Sequence, residues 1–396
     1  LQQFNPIKSG GAVIGAAFLM ATSAIGPGFL TQTSFFTQEL AASFGFVILI
    51  STLIDIAVQL NMWRILTVSN KRAQDVANIL LPGLGYVLAA LIVLGGMVFN
   101  IGNMAGCGVG LQALTGLSPS VAAVISAIIA LVIFCMKDAV KVLDLFTKIL
   151  GALMIVLTLY VAIVAQPPMA EAITKSFWPD KMSAVSIVTI VGGTVGGYIS
   201  FAGAHRLLDA GVHGTNQLQQ VNKSAVSGII IAGIMRSILF LAVLGVVMLG
   251  VVLDKNNPAA TAFSFAAGNV GYRIFGMVMW CAAITSLLGA SYTSISFIKT
   301  FHPAIAKNEK WLISCLVIFS TIIFIAVGKP AKLMVAAGTI NGLVLPISLA
   351  IILVAGMRTK IMGSFRNPIW LSIAGWIAVA VLGWMSVEML LDYLNI

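Results

Sequence analysis

Residues 183–208 read SAVSIVTIVGGTVGGYISFAGAHRLL, an apolar run interrupted in its middle by Gly192-Gly193-Thr194-Val195-Gly196-Gly197. About 20 apolar residues make a helix that spans a bilayer. Glycines clustered at the centre of such a run weaken the helix where no water is at hand to replace its hydrogen bonds. Residues 10–38, GGAVIGAAFLMATSAIGPGFLTQTSFFTQ, have the same character, with the interruption at Gly26-Pro27-Gly28. Pro27 has no amide proton and its ring clashes with the preceding turn, so the helix is expected to unwind there. Carbonyls and amides freed in lipid must face protein, water or a ligand, which makes each interruption a candidate binding site.

The rest of the chain fits a membrane setting. Of 396 residues, 60% are hydrophobic and 9% charged, with a mean hydropathy of +1.06; soluble domains carry about a quarter charged residues. Apolar runs separated by Gly, Pro and charged clusters give eleven expected spans, near 10–38, 42–67, 83–115, 119–136, 142–165, 183–208, 224–252, 265–299, 309–327, 331–356 and 367–392. Residues 1–9 lack a signal-cleavage pattern, and the first run is read as a functional helix. The net charge of +10 is scattered through the connections without a continuous basic stripe, so nucleic acid is not an expected partner. Most Lys and Arg fall on one side when the spans alternate, which puts the N-terminus in the cytoplasm and the C-terminus outside a plasma (inner) membrane. Cys107, Cys135, Cys281 and Cys315 lie in apolar runs without metal-site spacing and read as packing residues. No Walker loop, HExxH or nucleophile set suggests an enzyme. The expected partners are the lipid bilayer and a small-molecule or ion substrate, with no cofactor and no soluble partner.

The two interruptions occupy matching places, each opening a group of five spans. An odd number of helices per repeat inverts the second copy, as in transporters whose discontinuous helices meet at a midplane site. The expected organisation is a cytoplasmic segment 1–9, a first repeat 10–165, an extracellular loop 166–182, an inverted second repeat 183–356 and a final span 367–392. Each break offers carbonyls suited to a cation and amides suited to an anion.

Gly45-Phe46 with Gln59, Arg64 and Val68, then Gly106-Cys107-Gly108-Val109-Gly110-Leu111, Gly192-Gly193-Thr194-Val195 and Leu345-Pro346, resemble the NRAMP family of divalent-metal transporters. The resemblance covers nearly the whole chain and implies the all-α LeuT-type fold, five plus five inverted spans and one extra, with spans 1 and 6 unwound at the midplane. The chemistry departs from the family. Its Asp-Pro-Gly-Asn metal motif reads Gly26-Pro27-Gly28-Phe29 here, its Met-Pro-His corresponds to Gly196-Gly197-Tyr198, and its acidic pair in the third span matches Asn100 and Asn103. No metal site is therefore expected. Phe29 and Tyr198 are candidates to sandwich a flat organic group, with Gln32 and Ser200 nearby. The resemblance to a branch that accompanies 5-oxoprolinase subunits suggests a small organic acid or amino-acid-like solute such as 5-oxoproline. Divalent-metal transport (Mn2+, Fe2+ or Mg2+) through a non-standard site is the alternative.

Coupling to H+ or Na+ has its own candidates. Asp55 is the acid deep within a span, with Arg236 of the seventh span as its expected partner. His205 follows the sixth-span break. Ser23 and Thr194 would supply oxygens for Na+.

Overall fold

A computed structural model describes residues 25–135 and 139–394, with side chains throughout except at 135, 139–151 and 393–394. The described elements are all helical: α1 (Pro27–Leu40), α2 (Phe44–Ser69), α3 (Ala73–Leu80), α4 (Leu84–Thr115), α5 (Pro119–Cys135), α6 (Ala139–Ala165), α7 (Met169–Phe177), α8 (Ala184–Thr194), α9 (Tyr198–Asp209), α10 (Leu218–Met248), α11 (Pro258–Ile298), α12 (Pro303–Lys307), α13 (Glu309–Val327), α14 (Pro330–Gly356), α15 (Thr359–Met362) and α16 (Ile369–Leu394). Among the described residues, eight stretches are long and apolar enough to cross a membrane, or nine when α6 and α7, bent by 108° at their junction, count as one. Residues 27–69 form one of these stretches, and a 3-10 turn at Ala41–Ser43 divides it where the sequence places a span boundary. The expected loop at 166–182 contains α7, whose apolar residues are too few and too interspersed with polar ones to read as a span.

The packing carries the mark of the repeat. The third span (α4) lies against the eighth (α11) and the tenth (α14), and the eighth lies against the fifth (α6), the arrangement produced by advancing each member of the α4–α14 pair by five spans. The second (α2) packs on the seventh (α10), its own counterpart. Close packing of helix surfaces, much of it at small residues, and hydrogen bonds between helices hold this assembly together, and the buried polar residues include Thr31, Gln32, Thr194 and Ser200 beside the two glycine-rich segments.

Candidate functional site

At the first break Gly26 is extended (φ −102°, ψ −172°) and α1 begins at Pro27, whose missing N–H is not needed at that position. The Pro27 ring occupies the hollow that Gly106 leaves on α4, so a side chain there would displace it. At the second break α8 ends at Thr194, the amides of Val195 and Gly196 both turn back to the Val191 carbonyl, and Gly197 adopts φ +52° before α9 starts at Tyr198. A β-carbon on Gly197 would strike Asn341 Oδ1 of α14. Gly192 likewise brings the α8 backbone onto that of Gly338 and Gly342 in α14.

Arg236 of α10 joins the two breaks. Its guanidinium lies 4.3 Å from the centre of the Phe29 ring, just past the first break, and its Nη1 donates to Thr194 Oγ1 (2.9 Å), the last residue before the second. The side chain is 3% exposed, and its Nε and Nη2 have no hydrogen-bond partner. These two atoms carry the parallel N–H bonds that a carboxylate takes as a pair. Asp55 is 2% exposed and lies near Thr194 and Arg236, while its Oδ1 is unpartnered. No direct ion pair joins the two charges; Thr194 stands between them. The Thr194 hydroxyl donates its proton to the Ile190 carbonyl at 2.8 Å while accepting from Arg236.

The other candidates divide. Phe29 and Tyr198 do not form the expected sandwich, because each ring is engaged elsewhere: Phe29 under Arg236, Tyr198 edge-on to Phe99 at 5.3 Å. The Tyr198 hydroxyl is directed at Ser286 without a hydrogen bond of normal geometry. Asn100 Nδ2 donates to Ser291 Oγ on α11 (2.8 Å), leaving its Oδ1 unpartnered, as is Asn103 Nδ2. Gln32 fills a slot lined by Gly28, Gly193 and Gly338 and donates to the Met334 carbonyl (2.9 Å), so it ties α1 to α14. Ser200 receives the Trp63 indole N–H at its carbonyl (2.9 Å).

His205 is turned away from the breaks. Its Nε2 accepts from the Ala73 amide (3.2 Å) at the start of α3, and its ring lies against Phe297. With Arg72 to Asp209 (2.6 Å) and Gln74 to Thr300 (3.1 Å), it fastens α3 over the ends of α9 and α11. Ser23 lies outside the described residues. Asn341 was missed by sequence reasoning: its Nδ2 donates to the Gly95 and Ala337 carbonyls while its Oδ1 points at Gly197. An amide in the middle of an apolar run was the available signal. Among the described residues, no three of His, Cys, Asp and Glu come together to hold a metal ion.

Known proteins agree with this architecture. The chain is 57% identical over 367 residues, covering 93% of it and 91% of the relative, to the uncharacterized membrane protein YcsG of Bacillus subtilis. Its fold is similar to that of a manganese transporter from Eremococcus coleocola (TM-score 0.75, 16% identity, 98% of this chain and 90% of that one). It is also similar to MhsT in complex with L-phenylalanine (TM-score 0.61, 15% identity, 96% of this chain and 98% of that one). The family model described as natural resistance-associated macrophage protein-like matches residues 17–392. With the broken sixth span, the packing of its repeats and this match over nearly its whole length, the chain belongs to the Nramp family and is a multi-pass membrane transporter.

Proposed function

We propose that this transporter takes up a small organic acid, an amino-acid-like solute such as 5-oxoproline, across the plasma (inner) membrane in exchange for the energy of a coupled cation. The observation that carries this reading is the free Nε/Nη2 edge of Arg236 between the two breaks. A carboxylate on that edge gains two charge-assisted hydrogen bonds, and the amides opening α1 and α9 add positive potential. A flat ring could then lie in the apolar surroundings of Phe29.

Net charge favours an anion over a metal. A divalent ion about 5 Å from a guanidinium is repelled by about 7 kcal/mol at an effective dielectric of 20. An ionised Asp55 cancels that repulsion without outweighing it, so the site offers a metal no net attraction. Protonating Asp55 leaves the site with charge +1 and favours the anion, which supports H+ over Na+ as the coupling ion.

The family and the manganese transporter of the same fold support the second reading, divalent-metal transport. One observation favours it here: Gln32 Oε1, Asn100 Oδ1, Asn341 Oδ1 and Asp55 Oδ1 are unpartnered oxygens of the kind that hold hard cations through waters. Proteoliposomes decide between the two. Saturable, pH-gradient-driven accumulation of a labelled small carboxylate supports the first; saturable Mn2+ or Mg2+ uptake, with no binding or uptake across a panel of organic acids, overturns it.

A further inference from the structure

Far along α2 from the breaks lies a second cationic site. A cavity of about 270 Å³ opens between α2, α14 and α16, lined by Ile65, Leu353, Met357, Arg366, Asn367 and Trp376, among others. Arg64, next to Ile65, is 9% exposed, and among the described residues it meets neutral groups: Nε donates to Asn367 Oδ1 (2.9 Å) and the guanidinium lies 5.7 Å from the Phe365 ring centre. Asn367 is held in turn by its donation to Asn61 Oδ1 (2.8 Å). Arg366, on the cavity wall, donates to the Gly363 and Phe365 carbonyls, at 3.4 and 3.3 Å. Among the described residues neither guanidinium meets a carboxylate. A buried charge without a counter-ion is costly, and an anion at this place would supply one.

The neighbouring elements give that anion a character. Ser372, in the first turn of α16, also lines the cavity and adds a hydroxyl beside Arg366 and Asn367. The remaining walls are apolar. They continue onto surface that faces lipid, where Ile369, Trp370, Ile373 and Ile377 of α16 are exposed. A charged head beside a greasy flank is the pattern of a phospholipid: phosphate at the arginines, acyl chains along α16.

We propose that this cavity binds the headgroup of an anionic phospholipid. Delipidated wild-type protein in detergent would be titrated with phosphatidylglycerol, phosphatidylcholine or inorganic phosphate, with bound lipid read by native mass spectrometry and stability by thermal shift. The expected result is retention of phosphatidylglycerol over phosphatidylcholine. Affinity should fall about fivefold for each guanidinium removed in Arg64→Gln and Arg366→Gln. Arg366 is exposed, so its single variant keeps the test valid if the Arg64 variant does not fold. Equal binding of phosphatidylcholine, or unchanged phosphatidylglycerol binding by Arg366→Gln, overturns the proposal. So does inorganic phosphate that matches the lipid's stabilisation, since that would mark a site for free anions.

Discussion

Arg236→Lys tests the carboxylate reading most sharply because it keeps the charge and removes only the shape. Arginine here uses one nitrogen on Thr194, one face on Phe29 and has a two-donor edge free. A lysine ammonium can point at Thr194 or at the ligand, but cannot present two parallel N–H bonds to a carboxylate. One lost charge-assisted hydrogen bond costs about 1.5–3 kcal/mol, which at 1.4 kcal/mol per decade weakens binding about 10- to 150-fold. The fold should survive, since Asp55 keeps a cationic neighbour. Arg236→Met would instead strand Asp55 and destabilise by about 3–5 kcal/mol, a loss that Asp55→Asn in the same chain should largely reverse without restoring transport. The assay is concentration-dependent uptake of the transported acid into proteoliposomes, with melting temperature measured on the same preparations. A saturation constant for Arg236→Lys within about threefold of wild type would refute the reasoning, because no bidentate contact could then exist.

Tyr198→Phe should leave the melting temperature unchanged, because the hydroxyl makes no normal hydrogen bond, yet weaken binding about 2- to 12-fold if that hydroxyl donates to the solute; unchanged uptake kinetics would remove Tyr198 from the site. Gly197→Ala forces a side chain into φ +52° and onto Asn341, so it should cost at least about 1–3 kcal/mol and abolish transport, whereas wild-type behaviour would mean that the break is not built as described. Asp75, on α3 outside the spans, has its carboxyl raised above the usual range by burial, against the opposing pull of Arg72 and Lys71. Its stabilising contribution is complete below the unfolded pKa of about 3.9 and is lost as pH rises through the higher folded value. Asp75→Asn should therefore flatten that part of the melting-temperature profile, and an unaltered slope would contradict the assignment.

The described spans and the break in the sixth were legible because each has a one-dimensional signature, apolar length for the helix and Gly for its interruption; the part of the first span before residue 25 lies outside the described residues. Thus Gly192 to Gly197 pointed to the division between α8 and α9, and helix ends at 69, 115, 327 and 356 fall within two residues of the expected span ends. The connecting helices α3 and α7 escaped because they are short and amphipathic, and a search for long apolar runs passes over them. The site was only half legible. Asp55 and Arg236 stand out as charges in lipid-length runs, but nothing in their spacing says that Thr194 would lie between them or that Phe29 would face the guanidinium. Such contacts depend on how four helices cross. The direction His205 faces was hidden for the same reason: two turns past the break it could face the pathway or a neighbouring helix, and the helix rotation turns it toward α3.

The seam between α8 and α14 has a mechanical consequence. With glycine at 192, 338 and 342, main chain rests on main chain, and no intervening side chain can change rotamer to let the two helices slip. The half-helix beyond Gly197 is anchored differently, through the Trp63 indole at Ser200 and through His205 on α3. The two halves of the sixth span share α2 as a neighbour but differ in their other anchor, α14 for α8 and α3 for α9, with residues 195–197 between them. Spin labels on α8 and α14 should hold a fixed separation through a transport cycle, while a pair on α8 and α9 should report its swing.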